Sequence, residues 1–345
     1  MNFKLTKIQF FLMLFFIETG VIYISFQQGV IDYGGRDAWI MFGVASIFMY
    51  LLLFFYEKNY KFFRLGKITK WIYILYWLVV IISFLSYMQY TLNVWIIQNM
   101  PPFYSLLAIV LVTLYISLSR PSTTVNLGVL IIPLVFIFIV FILLATHELK
   151  FSNILPIGTS TVPQWLKGMH YSLTAFIGIE SYLMLRKNVL KDEEIKGKPI
   201  LIFHLIVSIF MGASVIGAEF YFMLKEIRLI PDPILYILKS QKVTFVKRLD
   251  IFFIYIWLAW SLVTINLFLF NIRIALSTQE GKNPKPLLFI IHGIIMIAPL
   301  FFIGVGQVEF IRKYLIYLFY PFSIILPMII ILFNRRRDSK CDKSQ

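Results

Sequence analysis

A succession of long apolar runs, separated by short connections rich in proline, glycine and charge, decides what this chain can become. The runs fall at about residues 8–28, 38–56, 71–97, 103–118, 126–146, 168–185, 200–224, 250–276, 287–305 and 311–333. Each holds roughly 17–25 residues, enough for a helix to cross a hydrocarbon core of about 30 Å. None shows the period-two alternation of a barrel strand. Inside lipid every backbone polar group needs a partner within its own segment, so the expected fold class is all-α. The reading is a single transmembrane domain over residues 1–345 with about ten transmembrane helices. Residues 1–7 and 334–345 are its polar ends, and 8–333 hold the spans.

Composition agrees with this and removes other classes. The chain is 60% hydrophobic and 14% charged, far from the balance of a soluble domain. A net charge of +15 would suggest nucleic acid in a soluble protein. Here the cations gather in loops. With the N-terminus inside, 21 of the 32 Lys and Arg lie on the inner side. That bias puts both termini in the cytoplasm, with Arg335, Arg336 and Arg337 as an anchor after the last run. Lys4 and Lys7 precede a first run that contains Glu18 and lacks a small-residue cleavage site, so it reads as a retained span. Cys341 is the one cysteine, which excludes an internal disulfide. His147, His170, His204 and His292 are scattered, so no metal or other cofactor is expected. No nucleophile–base pair or nucleotide motif appears, and Gly34-Gly35 lacks the lysine of a P-loop, so an enzyme is not expected.

Carboxylates inside a membrane are expensive and mark function by default. There are three: Glu18, Glu180 and Glu219, the last placed near the outer surface by its closeness to Lys225. Two of them adjoin glycines, in Glu18-Thr19-Gly20 of span 1 and Phe176-Ile177-Gly178-Ile179-Glu180 of span 6. Spans 1 and 6 open successive blocks of five. Paired interruptions there point to a five-plus-five inverted repeat with broken helices 1 and 6 and a midplane site between them. The alternative is glycine used only for close packing, as at Gly212 and Gly217. In the broken-helix reading Thr19, Gly20 and Val21 offer backbone groups from span 1, and Ile177, Gly178 and Ile179 from span 6. A ligand carboxylate would sit on freed N–H groups. Glu180 would accept an amino group, hold a partner helix or carry a proton. Tyr87 and Thr91 of span 3 share one helical face, as do Trp257, Ser261 and Thr264 of span 8. Asp250 and Asp37 read as helix N-caps of spans 8 and 2. The outer connection 225–249 contains Ile234–Leu238, which predicts a short amphipathic helix serving as a lid or as an ordinary interfacial helix.

The Phe176–Glu180 segment resembles the F-x-G-x-E signature of amino acid–polyamine–organocation transporters. The ordered set is more specific: Thr6-x-x-Gln9, Gly20, Gly35-Arg36-Asp37-Ala38-Trp39, Phe176–Glu180, and Arg248-Leu249-Asp250 followed by Trp257. It resembles the B subunit of spore germinant receptors, the spore permease family, over essentially the whole chain. It departs at Ile22–Phe26, where the family's prolines are missing. The resemblance implies a transporter-like fold working with an A subunit and a lipoprotein C subunit in the spore inner membrane. It further implies binding of a small nutrient, such as an amino acid, that triggers ion release. A proton- or sodium-coupled amino acid transporter and an ion-conducting subunit remain the alternatives.

Overall fold

The computed structural model describes residues 3–144, 148–241, 248–277 and 285–342. His147, the end of span 5, and parts of the 225–249 connection, the 273–285 loop and the tail lie outside the described residues. Helices α1 (Lys7–Thr19), α2 (Phe26–Gly34), α3 (Ala38–Asn59), α4 (Lys67–Trp95), α5 (Pro102–Leu118) and α6 (Pro121–Leu144) form the first part. The second part comprises α7 (Val162–Ser172), α8 (Ser181–Leu185), α9 (Lys198–Tyr221), α10 (Leu224–Ile227), α11 (Pro233–Ser240), α12 (Leu249–Ser277), α13 (Lys285–Ile297), α14 (Val305–Phe319) and α15 (Leu326–Asp342). No strand occurs among the described residues. Six helical stretches are long and apolar enough to cross a membrane: 26–62, 67–95, 121–143, 198–221, 249–277 and 305–339. Leu51, Leu75, Leu130, Ile209 and Phe333 are among many large apolar side chains that point outward, as lipid contact requires.

The two runs predicted to break do break. Span 1 is α1 and α2, joined by a 3-10 turn at Ile22–Ile24. Span 6 is α7, a 3-10 turn at Leu173–Phe176, an irregular stretch and the five-residue α8. Both broken spans start the same way. Thr6 and Gln9 form a reciprocal cap on α1 (3.0 and 3.3 Å), and Gln164 accepts the Thr161 N–H at α7 (2.7 Å). Helix α12 is the central column, packed on α1, α4 and α6, while α2 lies along α7. A third interruption was not foreseen. Between α14 and α15 the chain takes a π-helical turn, Tyr320–Ile325, around Pro321. Such turns release carbonyls; here Tyr56 donates to Ser323 O and Tyr73 to Phe322 O (3.0 Å).

Two local expectations need correction. Asp250 lies inside the first turn of α12, fully buried, and pairs with Arg248 (2.7 Å) rather than capping. Asp37 occupies the N-cap position of α3 without a capping bond. Its carboxylate instead accepts from the N–H groups of Gly158 (2.6 Å) and Ser160 (2.9 Å), stitching on the 148–161 connection. Glu219, two residues before the end of α9, is buried within the protein. It faces the Ala38 and Trp39 N–H groups at the start of α3 without a hydrogen bond of ordinary length.

Candidate functional site

The site is built where the two breaks meet. At the first, the Gly20 N–H closes the last turn of α1 on Phe16 O (3.2 Å). A Cβ on Gly20 would lie 1.8 Å from Thr264 Oγ1, so only glycine allows α12 this close. The proximity has a use. Thr264 adds a second bond to Phe16 O (2.6 Å), and Trp257 Nε1 donates to Gly20 O (3.0 Å), so α12 satisfies the Gly20 carbonyl at the break. Ser261 lies between them on α12, buried, its hydroxyl without a hydrogen-bond partner among the described residues. Thr19 turns its hydroxyl back to Phe15 O (2.5 Å).

At the second break Gly178 takes φ +103°, a conformation costly for any residue with a Cβ. That added atom would also sit 2.3 Å from Ile17 Cγ2, so the two breaks pack directly on each other. The N–H groups of Ile177 and Ile179 are used locally, on Thr174 O and Phe176 O (3.2 Å each). Glu180 is fully buried. It accepts from Trp77 Nε1 (3.1 Å) on α4 and Ser323 Oγ (2.7 Å) in the π-turn, and it faces the Gly178 N–H. Through these contacts it connects α4 and the π-helical turn to the second break. Glu18 is 1% exposed, accepts no hydrogen bond, and lies within electrostatic reach of Glu180.

Backbone groups expected to meet a ligand are therefore largely satisfied from within. The open space lies beside them: a cavity of about 260 Å³. Val21 and Ser25 come to it from the first break, Ile177 from the second, Ser83 and Tyr87 from α4, and Arg312 from α14. Of the predicted residues, Val21, Ile177 and Tyr87 line it. Thr19, Gly20, Gly178, Ile179, Glu180, Thr91, Trp257, Ser261 and Thr264 are not part of its lining. Thr91 is buried with an unpartnered hydroxyl.

The short helix expected in the 225–249 connection is present: α11 buries Ile234, Leu235, Ile237 and Leu238 and packs on α12 and α9. Just before it Asp232, 1% exposed, accepts from Tyr87 (2.5 Å) and Trp95 Nε1 (3.3 Å). Burial pushes the Asp232 carboxyl up, against the opposing pull of Tyr87, Arg312 and Trp95. A second tie runs from Arg228 to Asp32 (3.2 Å), at the cavity rim on α2. Sequence reasoning missed Ser25, Ser83, Asp232 and Arg312. The one local signal was Asp232 between Pro231 and Pro233, a charged residue fixed in a stiff connection. No His, Cys, Asp or Glu cluster suited to a metal occurs among the described residues.

A family model of spore germination proteins, the spore permeases, matches residues 4–308. The chain belongs to that family. The matched part of this spore permease contains both breaks, Glu18, Glu180 and α11, and ends within α14 just before Arg312. No curated protein matches the chain.

Proposed function

We propose that this spore permease is the nutrient-recognition subunit of a germination receptor. It would bind a small nutrient between spans 1 and 6 and trigger ion release through its partners, an A subunit and a lipoprotein C subunit. The ten spans would form a five-plus-five inverted repeat in the spore inner membrane, with both termini cytoplasmic. The observation that carries the reading is the cavity bounded by both helix breaks. At about 260 Å³ it lies at the small end of ligand sites, a size for a metabolite rather than a polymer. Thr19, Gly20, Gly178, Ile179 and Glu180, with Thr91, Trp257, Ser261 and Thr264, would serve as the frame of that site.

The test is spores carrying Val21→Trp, whose ring would fill the cavity from the first break. The expected result is a response to one nutrient class weakened at least tenfold, with the protein present at its normal level. An unchanged dose–response would overturn the reading. Gly178 is a poorer target, since any side chain there meets Ile17 and tests packing instead. A second reading, a proton-coupled amino acid transporter, draws support from Glu18, a buried carboxylate with no donor. Saturable uptake by the isolated chain would favour it.

A further inference from the structure

The cavity has a chemical polarity that the recognition reading does not use. Arg312 reaches inward from α14. Its Nη2 donates to Ser25 (2.7 Å), and its guanidinium lies 4.5 Å from the centre of the Tyr87 ring. Ser25 and Tyr87 are 1% and 2% exposed, so the cation is held against the inner wall. Among the described residues no carboxylate comes within ion-pair distance of it. Asp232 acts on it only at longer range and is committed to Tyr87 and Trp95. A guanidinium has five N–H donors in a planar fork suited to a carboxylate, and one hydroxyl and one ring leave that fork largely unused. A second, independent feature lies on the same wall. Ser83, fully buried, lines the cavity with a hydroxyl that has no hydrogen-bond partner among the described residues. Burying a hydroxyl without a partner is costly, and a ligand oxygen would relieve it. Acids lie elsewhere on the lining: Glu309 is exposed, one turn before Arg312, and Asp32 is partly exposed across the cavity on α2.

We propose that the cavity takes a small molecule bearing a carboxylate, and that Arg312 is the residue that binds it, with Ser25 and Ser83 beside it. An amino group on the same ligand would face Asp32 or Glu309 at the rim, which fits a zwitterionic amino acid better than a neutral sugar or nucleoside. This rests on the recognition reading but is separable from it. It also moves the anchor for the ligand's negative end from freed backbone N–H groups to a side chain of α14.

The test uses the full chain in lipid nanodiscs. The probes are L-alanine, L-leucine and L-asparagine, their methyl esters, and glucose and inosine as neutral molecules, each titrated by thermal shift. At least one amino acid should bind, with its methyl ester roughly tenfold to a hundredfold weaker, the range of a charge-assisted hydrogen-bonded contact. Arg312→Gln should give the same loss, Arg312→Lys a smaller one, and Ser83→Ala the smallest. An ester that binds as tightly as its acid overturns the proposal, and this comparison on the unaltered chain decides even if Arg312→Gln fails to fold. Arg312→Gln that folds and binds normally overturns it too, leaving Arg312 a strut between Ser25 and Tyr87. Binding of glucose or inosine alone overturns the carboxylate assignment and leaves nutrient recognition standing. Binding of none of the probes overturns both.

Discussion

Glu18 and Glu180 are the same side chain at comparable points of the two broken spans, and the structure treats them oppositely. Glu180 accepts from an indole and a hydroxyl and faces a backbone N–H, so it links α4, the π-turn between α14 and α15, and the break between α7 and α8. Glu18 is as deeply buried and accepts from nothing among the described residues. A partnered buried charge is part of a frame, and removing one side of it leaves orphans that cost several kcal/mol. A buried carboxylate without a donor stabilises nothing, so its presence calls for another explanation. The contrast separates architecture from candidate activity more sharply than the shared burial of the two groups.

The largest effect should come from breaking the partnered member. Glu180→Leu strands Trp77 Nε1, Ser323 Oγ and the Gly178 N–H, and should lower stability by about 3 kcal/mol. Denaturant titration of the purified protein in detergent checks this; a midpoint equal to that of the parent would mean that Glu180 does not hold the break. Trp257→Phe should cost less, about 1–2 kcal/mol, since it orphans the single carbonyl of Gly20 while the ring volume is largely kept. If Trp257→Phe proved the more harmful, the first break and not the second would be the better-secured joint.

How much of this was legible in the sequence follows from how local each feature is. Gly20 and Gly178 were readable because a mid-span glycine beside a carboxylate is a property of five adjacent residues. The helix at Ile234–Leu238 was readable for the same reason, since an apolar stretch after a proline sets its own boundaries. What the freed backbone groups do was not readable. Thr264 reaches Phe16 O only because α12 lies against α1, and no spacing within span 1 encodes that contact. The same holds for Asp37, drawn from its helix by a connection more than a hundred residues away. Arg312 was visible only as one more basic residue in a charge count. Its position against Ser25 and Tyr87 depends on α14 packing on α4.

A third and smaller effect belongs to the proposal that α11 and the connection before it act as a lid, where a carboxylate is again buried with partners. Burial raises the Asp232 carboxyl above its ordinary range. Relative to an open lid with Asp232 in water, the docked state therefore holds its proton more tightly. Its contribution to docking is fully present below the ordinary aspartate value and is lost as pH rises through the raised one. Hydrogen exchange over residues 224–240, with the intrinsic pH dependence of amide exchange divided out, should then be slower at mildly acidic pH than at neutral pH. Asp232→Asn should remove the pH dependence and keep the lid docked. Exchange that speeds up on acidification would show that the Arg228–Asp32 tie governs the lid, although a partly exposed pair of that kind is worth under about 1 kcal/mol.

The smallest effect on stability, and the most informative one, belongs to Glu18. Glu18→Gln keeps the shape and replaces a carboxyl that has no donor among the described residues, so the unfolding midpoint should stay within about 1 kcal/mol of the parent or rise slightly. That stability makes any functional change interpretable. Under the recognition reading the ligand site lies in the cavity beside the breaks, which Glu18 does not line. Spores carrying Glu18→Gln should therefore germinate with an unchanged half-maximal nutrient concentration. Under the transport reading the carboxylate has to take up and release a proton in each cycle, and an amide does neither, so the activity should be abolished at normal protein level. A folded, stable and silent Glu18→Gln protein would give the unpaired carboxylate the central role and reduce the cavity to an antechamber.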